Sequence, residues 1–135
     1  MSADFSITTE EMMGKSPVTV FHIRGDIDSN TYMELQGAAE EAYRAGKRNF
    51  LLDLTEVNFI SSAGLRALHV IYTMLRDPVV ETDEMIRQGI RDGSYKSPHL
   101  KLLKVSKNAD AALKVAGFDM YLESFKDLKE AVASF

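Results

Sequence analysis

Residues 49–57 read NFLLDLTEV, a nearly continuous apolar run of strand length. A strand with one wet face alternates apolar and polar side chains, whereas a run without alternation suits a strand covered on both faces. This chain therefore needs material packed above and below a central strand. The next segment, FISSAGLRAL at 59–68, places two serines, a small residue and a glycine before a helical pattern begins. Leu65, Leu68, Tyr72 and Leu75 recur at helical spacing, and Asp77-Pro78 ends that helix. A strand thus hands over to a helix at Ser61-Ser62.

The other segments fit around that unit. Phe5 to Thr9 reads as a short strand, and EEMMGKSP as a turn punctuated by Gly14 and Pro17. VTVFHIRG alternates, with Val18, Val20, His22 and Arg24 on one side and Thr19, Phe21 and Ile23 on the other, which predicts a strand. Asp28, Ser29 or Asn30 can cap a helix running to about Ala45, with the stripe Tyr32, Leu35, Ala39 and Ala42 and a stop at Gly46. Residues 79–99 break the rhythm, although Met85, Ile86 and Ile90 allow one short helix there. LKLLKV at 100–105 predicts a strand, followed by a helix capped by Ser106 or Asn108 and stopped by Gly117. MYLES at 120–124 reads as a last strand. Ser124 with Asp127 resembles a capping box for a final helix whose apolar side is Leu128, Ala131, Val132 and Phe135. The order β-β-α-β-α-insert-β-α-β-α places the chain in the α/β class. It predicts one domain over 1–135, with a mixed sheet of four to five strands, the first two joined as a hairpin, flanked by about four helices. A chain of 135 residues has room for one core.

Composition narrows the chemistry. Net charge is -4 and no Lys/Arg stripe occurs, which argues against nucleic-acid binding. There is no Cys, so disulfides, thiol catalysis and thiolate zinc sites are excluded. No apolar run reaches 18 residues and no signal-peptide pattern opens the chain, so a cytoplasmic protein without direct membrane insertion is expected. A serine nucleophile needs a base within hydrogen-bond reach. His69 lies seven residues beyond Ser62 on the same helix, roughly 10 Å of rise, and His22 is mid-strand. No G-x-S-x-G elbow surrounds the serines, and the three His, at 22, 69 and 99, are scattered. Phosphate-loop motifs are also missing. The expectation is a protein that is not an enzyme and that carries neither cofactor nor metal.

What remains is the amino end of the helix itself. Ser61 or Ser62 can cap its free N–H groups. The same groups and the helix dipole favour an anion, and a phosphate on Ser62 would add about -1.5 to -2 charges at pH 7. Ala63 and Gly64 are small enough for another backbone to come close. A second apolar line, Ala63, Ala67, Val70 and Met74, runs beside the first. It marks either a helix buried between layers or one that offers a side to a partner.

LLDLTEVNFISSAGLRAL resembles the central motif of the STAS domain, found in anti-sigma factor antagonists and in sulfate transporter tails. Asp53, Thr55, Val57, Phe59, Ile60, Ser62, Gly64 and Leu65 fill its places, and GDID at 25–28 is similar to the family's turn before its first helix. The resemblance implies partner switching. An anti-sigma factor that is also a serine kinase binds the unmodified antagonist and lets go once it is phosphorylated, and a phosphatase resets it. It maps the phosphoacceptor to Ser62 and acidic positions to Asp28 and Asp53, with Asp28 the functional one and Asp53 ending a strand. Many phosphorylated members carry aspartate before the acceptor; here that place is Ser61, the second candidate. The partner-binding set implied is Asp28, Ser61, Ala63, Gly64, Ala67 and Val70. The alternative is a STAS module that is never phosphorylated, either a scaffold component or a small cytoplasmic transporter subunit. Residues 77–99 are longer than the family's usual connection. They read as a tolerated surface insertion, since exposed loops accept length cheaply, or as a partner contact.

Overall fold

The computed structural model describes residues 5–135, so the first four residues of the expected 1–135 domain lie outside the described residues. Strands β1 (Ser6–Met13) and β2 (Pro17–Arg24) form an antiparallel hairpin. Helix α1 (Tyr32–Arg44), β3 (Phe50–Glu56), α2 (Ser62–Leu75), α3 (Asp83–Asp92), β4 (Leu100–Leu103), α4 (Lys107–Val115), β5 (Glu123–Phe125) and α5 (Leu128–Ala133) follow. The sheet runs β1-β2-β3-β4-β5, with every pairing after the first parallel, so it is mixed and five-stranded as expected. Among the described residues five helices flank it, the fifth being the short α3 inside residues 79–99.

β3 is central, and the apolar run explains how it is packed. Phe50, Leu52 and Leu54 face the larger core with Phe21, Ile23, Leu100 and Leu102, beneath α1, α2 and α4. Leu51 points to the other side, where Val18, Val20 and Leu103 meet Ala131 and Val132 of α5. Burying one such leucine contributes about 1.5–3 kcal/mol, so the covered strand is the main source of cohesion. α5 has only six residues and needs further fastening. Asp127 accepts the Glu130 N–H at its start. Lys101, only 5% exposed beneath it, donates to the Ser134 carbonyl and hydroxyl at its end. Burial pushes the Lys101 ammonium below its ordinary range, and nearby Glu123 opposes that shift.

Four local expectations shift. β1 extends through Met13, because its ladder with β2 continues to Met13 opposite Pro17, and the turn shrinks to residues 14–16. Thr31, rather than Asp28, Ser29 or Asn30, stands at the N-cap of α1. The last strand begins at Glu123, because Phe118–Met120 makes a 3₁₀ turn and Leu122 drops into the core. Ser124 is paired opposite Leu102 in that strand, so Asp127 alone caps α5.

On the face that α5 shares, His22 joins three strands. Its Nδ1 lies 2.7 Å from Asp53 Oδ2 and its Nε2 2.6 Å from Glu10 Oε1. Burial opposes the charged imidazole, but the Glu10 and Asp53 carboxylates outweigh it and raise the His22 pKa. Burial likewise opposes the Asp53 carboxylate, yet hydrogen bonds from Thr55 and His22 hold its pKa below the usual value. A raised imidazole stabilises the fold fully below about pH 6.5 and loses that contribution as pH climbs through the raised value. A lowered carboxylate stabilises above about pH 3.9 and loses it as pH falls through the lowered value. The urea midpoint of the wild type should therefore decline from about pH 6 to pH 9, while that of His22→Gln stays level; parallel profiles would refute the assignment.

Candidate functional site: the amino end of the second helix

The loops that follow β2 and β3 are stitched together before α2 begins. Ile27 and Ile60 form a parallel bridge, with the Ile27 N–H donating to the Phe59 carbonyl and the Ser61 N–H to the Ile27 carbonyl. The Ile27 loop is closed from within. Thr31 Oγ1 accepts the Asp28 N–H and donates to the Asp26 carbonyl, while Asp28 Oδ1 accepts the Asn30 N–H. The Asp28 carbonyl receives the N–H groups of Thr31 and Tyr32, which starts α1. Asp28 therefore shapes its own turn, and its half-exposed carboxylate stands on the loop bonded to Ser61.

The two serines divide their roles. Ser61 has extended backbone angles and its Oγ accepts the Gly64 N–H at 3.3 Å, so it is the N-cap. Ser62 is the first helical residue; it is exposed, and its hydroxyl makes no hydrogen bond among the described residues. The N–H groups of Ser62 and Ala63 have no partner within the helix, and the first turn carries no acidic side chain. An anion on Ser62 meets the positive end of the dipole, and no carboxylate of the helix's own first turn repels it.

Ala63, Gly64 and Ala67 turn inward, unlike the docking surface that their small size suggests. Ala67 is sealed in the core, and the backbone that approaches Gly64 is the chain's own: a Cβ on Gly64 would come within 2.5 Å of the Ile27 carbonyl oxygen. Of the second apolar line Val70 is exposed and Met74 half-buried, so the line splits between core and solvent. The solvent face of α2 is Ser62, Arg66, His69, Val70 and Thr73. Asp53 lies across the sheet, bonded to His22 and Thr55, and is not brought to Ser62. One exposed residue of this face escaped the sequence reading: Arg66 sits one turn beyond Ser62, while Phe59, a motif position, is exposed just before the serines. The i, i+4 spacing of Ser62 and Arg66 was the available signal.

The family model described as STAS domain matches residues 11–82. No curated protein matches the sequence. Among solved structures, the chain is similar to an anti-sigma factor antagonist from Mycobacterium paratuberculosis, at 21% identity and a TM-score of 0.68, with 96% of this chain and 93% of that one covered. It is also similar to the anti-sigma factor antagonist SpoIIAA in its unphosphorylated form, at 13% identity and a TM-score of 0.59, covering 93% of this chain and 92% of that one. The phosphorylated form of SpoIIAA, the Bacillus cell fate determinant, gives 12% identity and a TM-score of 0.60 over 94% and 96% of the two chains. At these identities the likeness is one of fold.

The division between the serines is measurable as stability. Ser61→Ala should lose about 1 kcal/mol for the missing cap, while Ser62→Ala should stay within about 0.5 kcal/mol of wild type, as exposed substitutions do. Gly64→Ala should cost about 1–3 kcal/mol through overpacking against Ile27. Urea denaturation of the three variants reads all of these, and a larger loss at Ser62 than at Ser61 would reverse the assignment.

Proposed function

The chain belongs to the STAS domain family, and from that premise we propose that it is an anti-sigma factor antagonist that works by partner switching at Ser62. The observation that carries this reading is the free, exposed Ser62 hydroxyl at the amino end of α2, with the capping task already taken by Ser61. The unmodified protein binds an anti-sigma factor that is also a serine kinase, and so releases a sigma factor. The kinase transfers the γ-phosphoryl group of ATP to Ser62 Oγ, the hydroxyl proton leaves, and ADP departs. A phosphatase restores the hydroxyl. The antagonist itself catalyses nothing, and the exchange takes place in the cytoplasm. Among the described residues no helix is long and apolar enough to cross a membrane.

The physics of the switch lies at the interface. The phosphate adds about two negative charges at a helix end that tolerates them, and Arg66, one turn along, is placed to share the load. The fold has no reason to change. A partner seated over Ser62 must strip water from the new charge, which costs several kcal/mol when no counter-charge meets it. Phosphorylation therefore ejects the partner without unfolding the antagonist. Of the expected contact set, Val70 is exposed and Asp28 and Ser61 are half-buried.

With the cognate anti-sigma kinase and ATP, the protein should gain one phosphate by mass. Ser62→Ala should gain none, and Ser62→Asp should bind the kinase at least about tenfold more weakly than wild type. Labelling of Ser62→Ala equal to wild type would move the acceptor to another residue. Tight binding with no labelling of any serine would favour the unmodified binding module.

A further inference from the structure

The segment after α2 is fastened to the body of the protein rather than draped over it. Arg76 ends the helix with extended backbone angles, its Nε donates to the Glu81 carbonyl, and its guanidinium pairs with Asp83. Glu81 is only 6% exposed. Its carboxylate accepts the Tyr95 hydroxyl at 2.6 Å and the Asp77 N–H at 3.1 Å. The Tyr95 hydroxyl also lies 2.8 Å from that of Tyr72 on α2. Gly89 of α3 packs so closely on Tyr95 that a Cβ there would collide with it. A buried carboxylate is strongly unfavourable unless it is hydrogen-bonded in this way. A loop that only spans a distance needs none of these contacts.

What this fixed turn presents to solvent is apolar. Val79 is 84% exposed, Val80 64% and Met85 59%. The Val79 N–H donates to Asp77 Oδ1 and the Glu81 N–H to the Asp77 carbonyl, which holds the two valines at the tip. A single exposed apolar residue is ordinary, but three within seven positions of one braced segment are not. The braced segment begins where the solvent face of α2 ends, with Pro78 directly before Val79. Thr73, the last exposed residue of the Ser62, Arg66, Val70 ridge, borders the same shallow groove as Arg76, Pro78 and Thr82. From Ser62 to Thr73 the helix rises roughly 17 Å, well inside the span of an interface that buries about 800 Å² on each partner.

We propose that Val79, Val80 and Met85 are a second contact for the same anti-sigma factor that senses Ser62. This rests on the antagonist reading given above. The partner lies along α2 with one end over Ser62 and an apolar surface over the valines. Ser62 then switches the complex, while the turn supplies affinity that does not depend on phosphorylation.

The test places the photo-crosslinker p-benzoylphenylalanine at Arg66, at Val80 and, as a control, at exposed Val115 on α4. The variants are irradiated in cells of the source organism and adducts are identified by peptide mass. One and the same anti-sigma factor should be captured at Arg66 and Val80 and not at Val115. That factor, purified, should bind the Val79→Asp/Val80→Asp protein at least about tenfold more weakly, with the urea midpoint unchanged. If the aspartates impair folding, Val79→Ser/Val80→Ser replaces them. An anti-sigma factor captured at Arg66 but not at Val80, or unaltered affinity of the valine variants, overturns the inference. Absence of any anti-sigma factor at Arg66 removes the antagonist reading itself and this inference with it.

Discussion

Everything at the candidate site depends on how closely the α2 backbone approaches the Ile27 loop. Gly64 sits against the Ile27 carbonyl with no room for a Cβ, and the Ser61 N–H donates to that same oxygen. These contacts fix where the helix starts and how it is rotated. Successive residues turn by about 100° around a helix. Once Gly64 and Ala63 are committed inward, Ser62 must point out. Ser61, one position earlier, is bound to the loop and left to cap. Which of the two serines is left exposed is thus a consequence of packing two residues away from it.

The same constraint explains why the site can carry charge. Ser62 belongs to neither apolar cluster, and the elements that hold the start of α2 are backbone hydrogen bonds and aliphatic side chains. A phosphate there finds free N–H groups and Arg66 nearby and displaces no existing ion pair. On the proposed reading, such a phosphate would be read by a partner's surface, because Ser62 belongs to neither apolar cluster.

The sequence made the frame legible wherever a local period or cap decided the outcome. The unbroken apolar run of β3, the stripe Leu68, Tyr72, Leu75 of α2, the Ser106 cap of α4 and the Gly46 stop, at φ +93°, all report short-range preferences. Between Ser61 and Ser62 the cap was left open by the sequence, and the Ser61 Oγ contact with the Gly64 N–H decides it. The inward turn of Ala63, Gly64 and Ala67 was not, because small residues suit a close approach equally well whether the approaching backbone is foreign or the chain's own. Thr31 holds the N-cap position by place alone, because its hydroxyl closes the preceding loop on Asp26 and Asp28 and caps no helical N–H. Asp53 fell away from the site because strand alternation sends it to the opposite face from Leu52 and Leu54, and the motif spacing alone does not record the face.

The two buried charges show the same limit and give residues 77–99 their meaning. Lys101 holds the end of α5, and Glu81 holds the turn after α2. Both act on partners distant in sequence, Ser134 in one case and Tyr95 in the other, so neither role shows in a periodic pattern. Each fastens an irregular piece of backbone that local propensity leaves undetermined. For α5 the outcome is plain, since it completes the smaller apolar cluster. For the turn at 77–81 the buried carboxylate ties Tyr95 to the edge of the larger cluster, while Val79 and Val80 stay in water. Desolvating a charge to hold hydrophobic side chains outward makes physical sense if those side chains are covered in another state of the protein. On the reading proposed above, that state is the complex with a partner along α2.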